Sequence, residues 1–178
     1  MTLLETLEQE LHDHDVPVVC VKPPRGLKGL YWDNRKSHLI VLSPEMETNA
    51  ERLSVLAEEA GHYYTSAGNI LYLRRDNVLN RQQERRARAW AYKRLVPPEG
   101  IISAWLRYIR TPWEFAEYFG VTEAFFRAAI AYYKQKHELV WHVGQYVITF
   151  EPFDILEKKK DLPIFVESIQ KRHNGEGI

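Results

Sequence analysis

The sequence predicts an α+β fold, on three observations. Short β-branched and aromatic runs separated by turn clusters occupy residues 18 to 42. Amphipathic helical patterns with capping signals follow them. Beyond the helices, two apolar runs flank Gly144-Gln145, as in a hairpin with glycine at the first position of a II′ turn.

Leu3, Leu4, Leu7 and Leu11 recur at helical spacing and stop before Val16-Pro17, so residues 2 to 14 open the chain as a short helix. Val18 to Val21, Gly29 to Trp32 and His38 to Leu42 are strands of a small three-stranded sheet. They are separated by Pro23-Pro24-Arg25-Gly26 and Asp33-Asn34-Arg35. Thr48 and Glu51 form a Thr-x-x-Glu capping box for a helix that runs to about Ser66 and is stopped by Gly68-Asn69. A second long helix spans Gln82 to Val96 and ends at Pro97-Pro98-Glu99-Gly100. Ile101 to Ile109 is helical. Thr111-Pro112-Trp113-Glu114 then supplies an N-cap, a first-turn proline and a capping-box glutamate for a helix to Phe119. Gly120-Val121-Thr122 turns the chain into a helix from Glu123 to about Lys136. Leu139 to Val143 and Tyr146 to Phe150 make the hairpin. Glu157-Lys158-Lys159-Lys160-Asp161 reads as a solvated loop, and Pro163 to Lys171 as a last helix. The segments are 1–98, a helical extension over 99–137, and a hairpin with its tail over 138–178, expected to form one compact unit.

Lys and Arg number 24 against 24 for Asp and Glu, so no global field draws the chain to nucleic acid or to anionic lipid. The single cysteine, Cys20, excludes an intramolecular disulfide, suits a reducing cytoplasm, and is expected in the core of its strand. Neither a basic start followed by an apolar run nor an 18-residue apolar stretch occurs, so neither export nor a membrane span is expected.

Glu58-Glu59-Ala60-Gly61-His62 lies in the middle of the first long helix and differs by one residue from the zinc-protease signature H-E-x-x-H. In that signature two ligands four residues apart hold the metal, and the intervening glutamate is the general base. A helical wheel places Leu53, Leu56, Ala57, Ala60 and Tyr64 on one stripe, with Glu58, Glu59 and His62 opposite, on a face for chemistry or water. Gly61 weighs against a merely wet face: glycine in a helix interior costs about 1 kcal/mol relative to alanine, which suggests that another backbone or a substrate passes close by. Glu84 falls on the same stripe of the next helix as Ala87, Ala91 and Leu95. A carboxylate aimed at buried positions needs an arginine, a hydrogen-bond network or a metal.

The succession Leu56-Ala57-Glu58-Glu59-Ala60-Gly61-His62, Glu84-Arg85-Arg86-Ala87-Arg88-Ala89-Trp90-Ala91 and Leu95-Val96-Pro97 resembles the ImmA/IrrE family of metallo-endopeptidases, over roughly residues 15 to 135. The resemblance implies a zincin-like core. It also implies His62 and Glu84 as metal ligands, Glu59 as catalytic base, and Glu58 at the position of the family's first histidine. Arg88 replaces a common Asn or Asp. Related phage and mobile-element sequences with E-E-x-G-H resemble this variant. The substrate implied is one regulatory protein, typically a helix-turn-helix repressor encoded nearby. The implied cofactor is a divalent metal, Zn2+ above all. Two ligand carboxylates make the set harder and more negative and bound water less acidic, so that either hydrolysis slows or the preferred metal shifts toward Mn2+ or Fe2+. The rival expectation is a catalytically inactive fold relative that binds the repressor.

Other patterns carry less. Glu59-x-x-His62 fits half of a di-iron carboxylate site, but no second Glu-x-x-His occurs. Ala116, Gly120, Val121 and Phe126 have helix-turn-helix spacing, yet a recognition helix beginning Glu123-Ala124-Phe125-Phe126 suits a phosphate-lined groove poorly. A structural helical hairpin, free to dock a protein, is the expectation. His38 and His142 are candidates to replace the missing histidine. Tyr63, Tyr64 and Trp90 are expected to pack, and Arg81 to Arg88 to form a wet face from which Arg85, Arg86 or Arg88 can pair with the carboxylates.

Overall fold

The computed structural model describes residues 1–34, 37–65 and 78–158 and divides between Lys136 and His137 into two units. In the first unit, Thr2 caps helix α1 (Leu3–Asp13): its hydroxyl accepts the Glu5 N–H at 3.2 Å, and the Glu5 carboxylate accepts the Thr2 N–H at 2.7 Å. Leu7 and Leu11 are its buried face.

Strands β1 (Val18–Cys20), β2 (Gly29–Asp33) and β3 (His38–Leu42) form a sheet in the order β1-β3-β2, with β1 parallel and β2 antiparallel to β3. The central strand is the most apolar, and Ile40, Val41 and Leu42 are buried. Cys20 is exposed rather than in the core, because it ends the outer strand β1.

Helix α2 (Asn49–Thr65) starts at Thr48, whose hydroxyl accepts the Glu51 N–H at 3.1 Å. The Glu51 carboxylate reaches the Glu47 N–H at 3.2 Å, one residue outside the expected box. The stop at Gly68-Asn69 lies outside the described residues. α2 packs against α1, β2, β3 and α3 (Val78–Leu95), which begins earlier than the expected Gln82. The α2–α3 interface is built from small residues: Ala57, Ala60, Ala87 and Ala91 have no exposed surface. A Cβ at Gly61 would overlap the Ala87 carbonyl, so the glycine marks the close backbone approach its cost suggested.

Pro98 is not part of the break but opens α4 (Pro98–Leu106), where its missing N–H is harmless. α4 ends with Tyr108 at φ +66°, the Tyr108 N–H donating to Trp105 O (2.9 Å) and the Ile109 N–H to Ala104 O (3.2 Å). α5 (Pro112–Phe119) has the expected capping box at Thr111 and Glu114 and ends at Gly120, also at φ +66°. α6 (Glu123–His137) starts where the Thr122 hydroxyl accepts the Phe125 N–H at 3.2 Å. Phe115 and Phe126 stack between α5 and α6, ring centroids 4.9 Å apart.

In the second unit, β4 (Val140–Val143) and β5 (Tyr146–Phe150) form the expected hairpin around Gly144, at φ +56°. A third strand, β6 (Phe153–Glu157), pairs antiparallel with β5, so the hairpin is a three-stranded sheet. Glu157 therefore ends a strand instead of starting a loop. Residues 159–161 of the charged run, and the helix expected over Pro163 to Lys171, lie outside the described residues. Among the described residues no helix is long and apolar enough to cross a membrane.

Candidate functional site

α2 carries Glu58, Glu59 and His62 on consecutive turns, and the close contact at Gly61 draws α3 against them. These side chains do not face open solvent. β2 covers them on one side and α3 on the other, and the His62 side chain is only 12% exposed. The wheel's stripe holds for Leu53, Leu56, Ala57 and Ala60, which are buried, but the opposite face is covered as well, because α2 has neighbours around most of its circumference. Tyr64, expected in the buried stripe, is 37% exposed and stacks on Trp90 at 4.7 Å.

Glu59 is held by the sheet: the Tyr31 backbone N–H donates to its Oε2 at 2.7 Å. Gly29 makes room for this, since a Cβ there would lie 2.8 Å from both Glu59 Cγ and Oε1. Burial pushes the Glu59 carboxyl up to about 7, with Glu58 and Glu84 adding to the rise and His62 and the Tyr31 amide opposing it. A carboxyl that exchanges its proton near neutrality suits general acid–base work.

His62 Nε2 lies 3.3 Å from Glu84 Oε1. Burial by itself lowers the imidazole, but the Glu84 hydrogen bond and the surrounding carboxylates outweigh it and leave the histidine raised. Glu84 is held below the usual carboxylate range, first by its bond to His62. The Glu84 side chain is 40% exposed, at the mouth of the helix pair rather than in its apolar interior. Its other oxygen, Oε2, lies 3.4 Å from Arg88 Nη2. Of the arginines expected to meet the carboxylates, Arg88 does so.

Glu58 takes a different direction. It lines a cavity of about 430 Å³ with Arg88, Tyr92, Val55 and Phe125. Burial raises its carboxyl, and the Arg88 charge opposes that rise. The sequence-predicted residues thus come together as one pair, His62 with Glu84, beside a buried Glu59 and with Glu58 turned toward Arg88. Among the described residues, no group of three or more His, Cys, Asp or Glu side chains is gathered as a metal site. His38 is engaged elsewhere, its Nδ1 2.7 Å from the Tyr31 hydroxyl, and His142 is on β4 of the second unit. The helix-turn-helix spacing is realised as packing, with Phe125 and Phe126 buried.

Sequence reasoning missed two supports. The Tyr31 amide gave no signal, being backbone, although Gly29 at the start of an apolar strand was a hint of close approach. Ser54, a hydroxyl inside the apolar stripe of α2, accepts the Thr122 N–H at 3.1 Å and ties the α5–α6 turn to the site helix.

A family model described as the IrrE N-terminal-like domain, Peptidase_M78, matches residues 12–131. No curated protein matches the chain. The matched stretch contains Glu58, Glu59, His62 and Glu84, supports a metallopeptidase-like function, and implies a divalent metal. The His62–Glu84 pair fits such an ion: two donors each about 2.1 Å from a tetrahedral metal stand roughly 3.4 Å apart, against 3.3 Å here.

Proposed function

This chain belongs to the IrrE N-terminal-like family, and from that premise we propose that it is a cytoplasmic, metal-dependent endopeptidase-like protein that cleaves one regulatory protein, a helix-turn-helix repressor of a phage or mobile element. His62 and Glu84 would hold the ion, zinc above all, with manganese or iron as the alternatives that a carboxylate-rich set favours, and Glu58 would have to turn back from Arg88 to serve as third donor. The observation that carries the reading is the His62–Glu84 contact at 3.3 Å beside a carboxyl raised to about 7. A divalent ion supplies Lewis-acid charge to a peptide carbonyl under attack. Glu59, anchored through Oε2 by the Tyr31 amide, keeps Oε1 for proton transfer. It takes a proton from the attacking water and returns it to the leaving amine nitrogen as the C–N bond breaks.

Metal content tests the site directly. The purified chain, supplemented with zinc, manganese and iron, is expected to retain close to one ion, and His62→Ala and Glu84→Ala to retain almost none. Less than about 0.1 ion per wild-type chain sinks the metal reading. For cleavage, the chain is co-expressed with the repressor encoded beside it. Glu59→Gln should slow cleavage by about 100-fold or more, and equal cleavage by both removes Glu59 from the mechanism.

Arg88 favours a second reading. Its guanidinium, 3.4 Å from Glu84, already supplies positive charge between carboxylates that would otherwise need an ion. In that reading the protein is an inactive fold relative that holds the repressor intact. Co-purification of uncleaved repressor with metal-free protein is its signature.

A further inference from the structure

We propose that the cavity between α2, α3 and the first turns of α6 receives the side chain of a tyrosine or tryptophan from the polypeptide acted on at the neighbouring site. Its volume is about 430 Å³, within the range of roughly 300–1,000 Å³ that ligand pockets span. α2 contributes Val55 and Glu58, α3 contributes Arg88 and Tyr92, and α6 contributes Ala124, Phe125 and Ala128. Arg88 ties the cavity to the candidate site, because its Nη2 lies 3.4 Å from Glu84 Oε2. What enters here lies beside His62 and Glu84.

The polar groups of the lining can be accounted for one by one. Lys28 Nζ is bonded to the Glu51 carboxylate. The Ser54 hydroxyl donates to Ala50 O at 2.7 Å and accepts the Thr122 N–H at 3.1 Å, and the Thr122 hydroxyl accepts the Phe125 N–H at 3.2 Å. Two groups are left over. Among the described residues, the Glu58 carboxylate and the Tyr92 hydroxyl have no hydrogen bond or ion pair. Arg88 meets the Glu58 charge at a distance, so what this half-buried carboxylate lacks is a hydrogen-bond donor. Withdrawing such a group from water without a donor is costly, and the occupant must bring one.

The donor is best uncharged and carried on a ring. Arg88 already supplies positive charge, and an ion held by His62 and Glu84 adds more, so the head of a lysine or arginine is repelled. An acidic side chain is turned away by Glu58 itself. The walls favour a ring: Tyr92 and Phe125 meet edge to face with centroids 5.2 Å apart, and the small side chains of Ala124 and Ala128, one turn apart on α6, leave room beside them. A tyrosine hydroxyl or an indole N–H then donates to Glu58 while its ring packs on this aromatic wall. A serine or asparagine leaves the wall uncovered. A phenylalanine leaves Glu58 unbonded, and a site built to bond a hydroxyl discriminates strongly against the analogue that lacks it. That the ring belongs to a polypeptide cleaved at His62 and Glu84 rests on the proposed function; the chemistry of the cavity does not.

The test uses the full chain and blocked pentapeptides with tyrosine, tryptophan, phenylalanine, lysine or glutamate between pairs of alanines, their binding followed by the amide shifts of residues 122–128. Tyrosine or tryptophan should bind at least about tenfold tighter than phenylalanine, lysine or glutamate. Glu58→Met should remove the preference for tyrosine over phenylalanine. Ala128→Leu, which fills the cavity from a half-exposed position, should weaken both by about tenfold or more. Phenylalanine binding as tightly as tyrosine overturns the proposal, as does lysine binding tightest, no binding by tyrosine or tryptophan, or unchanged affinities in folded Ala128→Leu. In the repressor assay Ala128→Leu should lower kcat/KM about tenfold while metal content holds. A chain that holds no metal and cleaves nothing defeats the peptidase reading, and the peptide affinities still decide the cavity.

Discussion

Two helix pairs of the first unit solve the packing problem in opposite ways. Between α2 and α3 the contact residues are Ala57, Ala60, Gly61, Ala87 and Ala91, so the backbones nearly touch. Between α5 and α6 the contact is made by rings, with Phe115 and Phe126 stacked at 4.9 Å. Close backbones leave little volume for side chains, so the long polar ones at α2 and α3, His62, Glu84 and Arg88, are brought together at the mouth. Wide spacing filled by aromatic rings leaves no place for charge. One pair is suited to concentrating titratable groups and the other to being a rigid support.

Removing a ring from the support should have the largest effect. Phe115 is fully buried, and Phe115→Ala should lose about 3–5 kcal/mol in chemical denaturation. A loss near 1 kcal/mol would mean that the rings do not set the spacing. Next comes a methyl group added to the close pair. Gly61→Ala should cost about 1–3 kcal/mol by forcing α3 away from α2. Gly120→Ala adds the same methyl at the α5 end, where the nearest neighbour is 4.0 Å away, and should cost about 1 kcal/mol from its positive φ alone. Equal losses at the two positions would erase the contrast.

The charged mouth should show in the pH dependence of stability, measured with a chelator present. Glu59 is raised in the folded state from 4.5 to about 7, so the folded protein binds this proton more tightly than the unfolded chain. Stability should therefore fall as pH rises from about 4.5 through 7. His62 acts in the same direction: its folded value is raised above 6.5, so its contribution is present below that pH and is lost above it. Glu84 is lowered and opposes them only below about pH 4.5. Glu59→Gln should flatten the decline and leave the variant about 1–2 kcal/mol more stable than wild type at pH 8. A slope unchanged by the substitution would place the buried proton elsewhere. The smallest effect is expected at a joint between the helices. The Tyr133 hydroxyl of α6 donates to Val96 O at 3.0 Å, and Tyr133→Phe should cost about 1 kcal/mol.

Local rules were legible in the sequence, and neighbours were not. Thr111-Pro112-Trp113-Glu114 specifies its helix start through bonds within four residues, and the structure has that cap. His38 to Leu42 is a strand with those limits because its apolar run needs no partner to be recognised. Gly61 was read as a close approach because its helix penalty is intrinsic to the residue. By contrast, Cys20 was expected inside because its run is apolar, but exposure depends on whether a strand is central or outer. β6 was missed because Asp154 and Glu157 resemble loop residues, although Ile155 between them is buried. The candidate site was half legible. Residue types and spacing pointed to His62 and Glu84, but the turn of Glu58 toward Arg88 and Tyr92 depends on how two helices cross.

The bond between Tyr31 and Glu59 has a meaning beyond chemistry. β2 is an outer strand, and strands at a sheet margin invite pairing with other chains, which is a route to aggregation. The Tyr31 amide points away from β3 and is already taken by a carboxylate of the same molecule. A stray strand that seeks this margin must first dislodge a buried acid. Solubility and reactivity are thus served by one atom, and a variant that removes Oε2 puts both at risk.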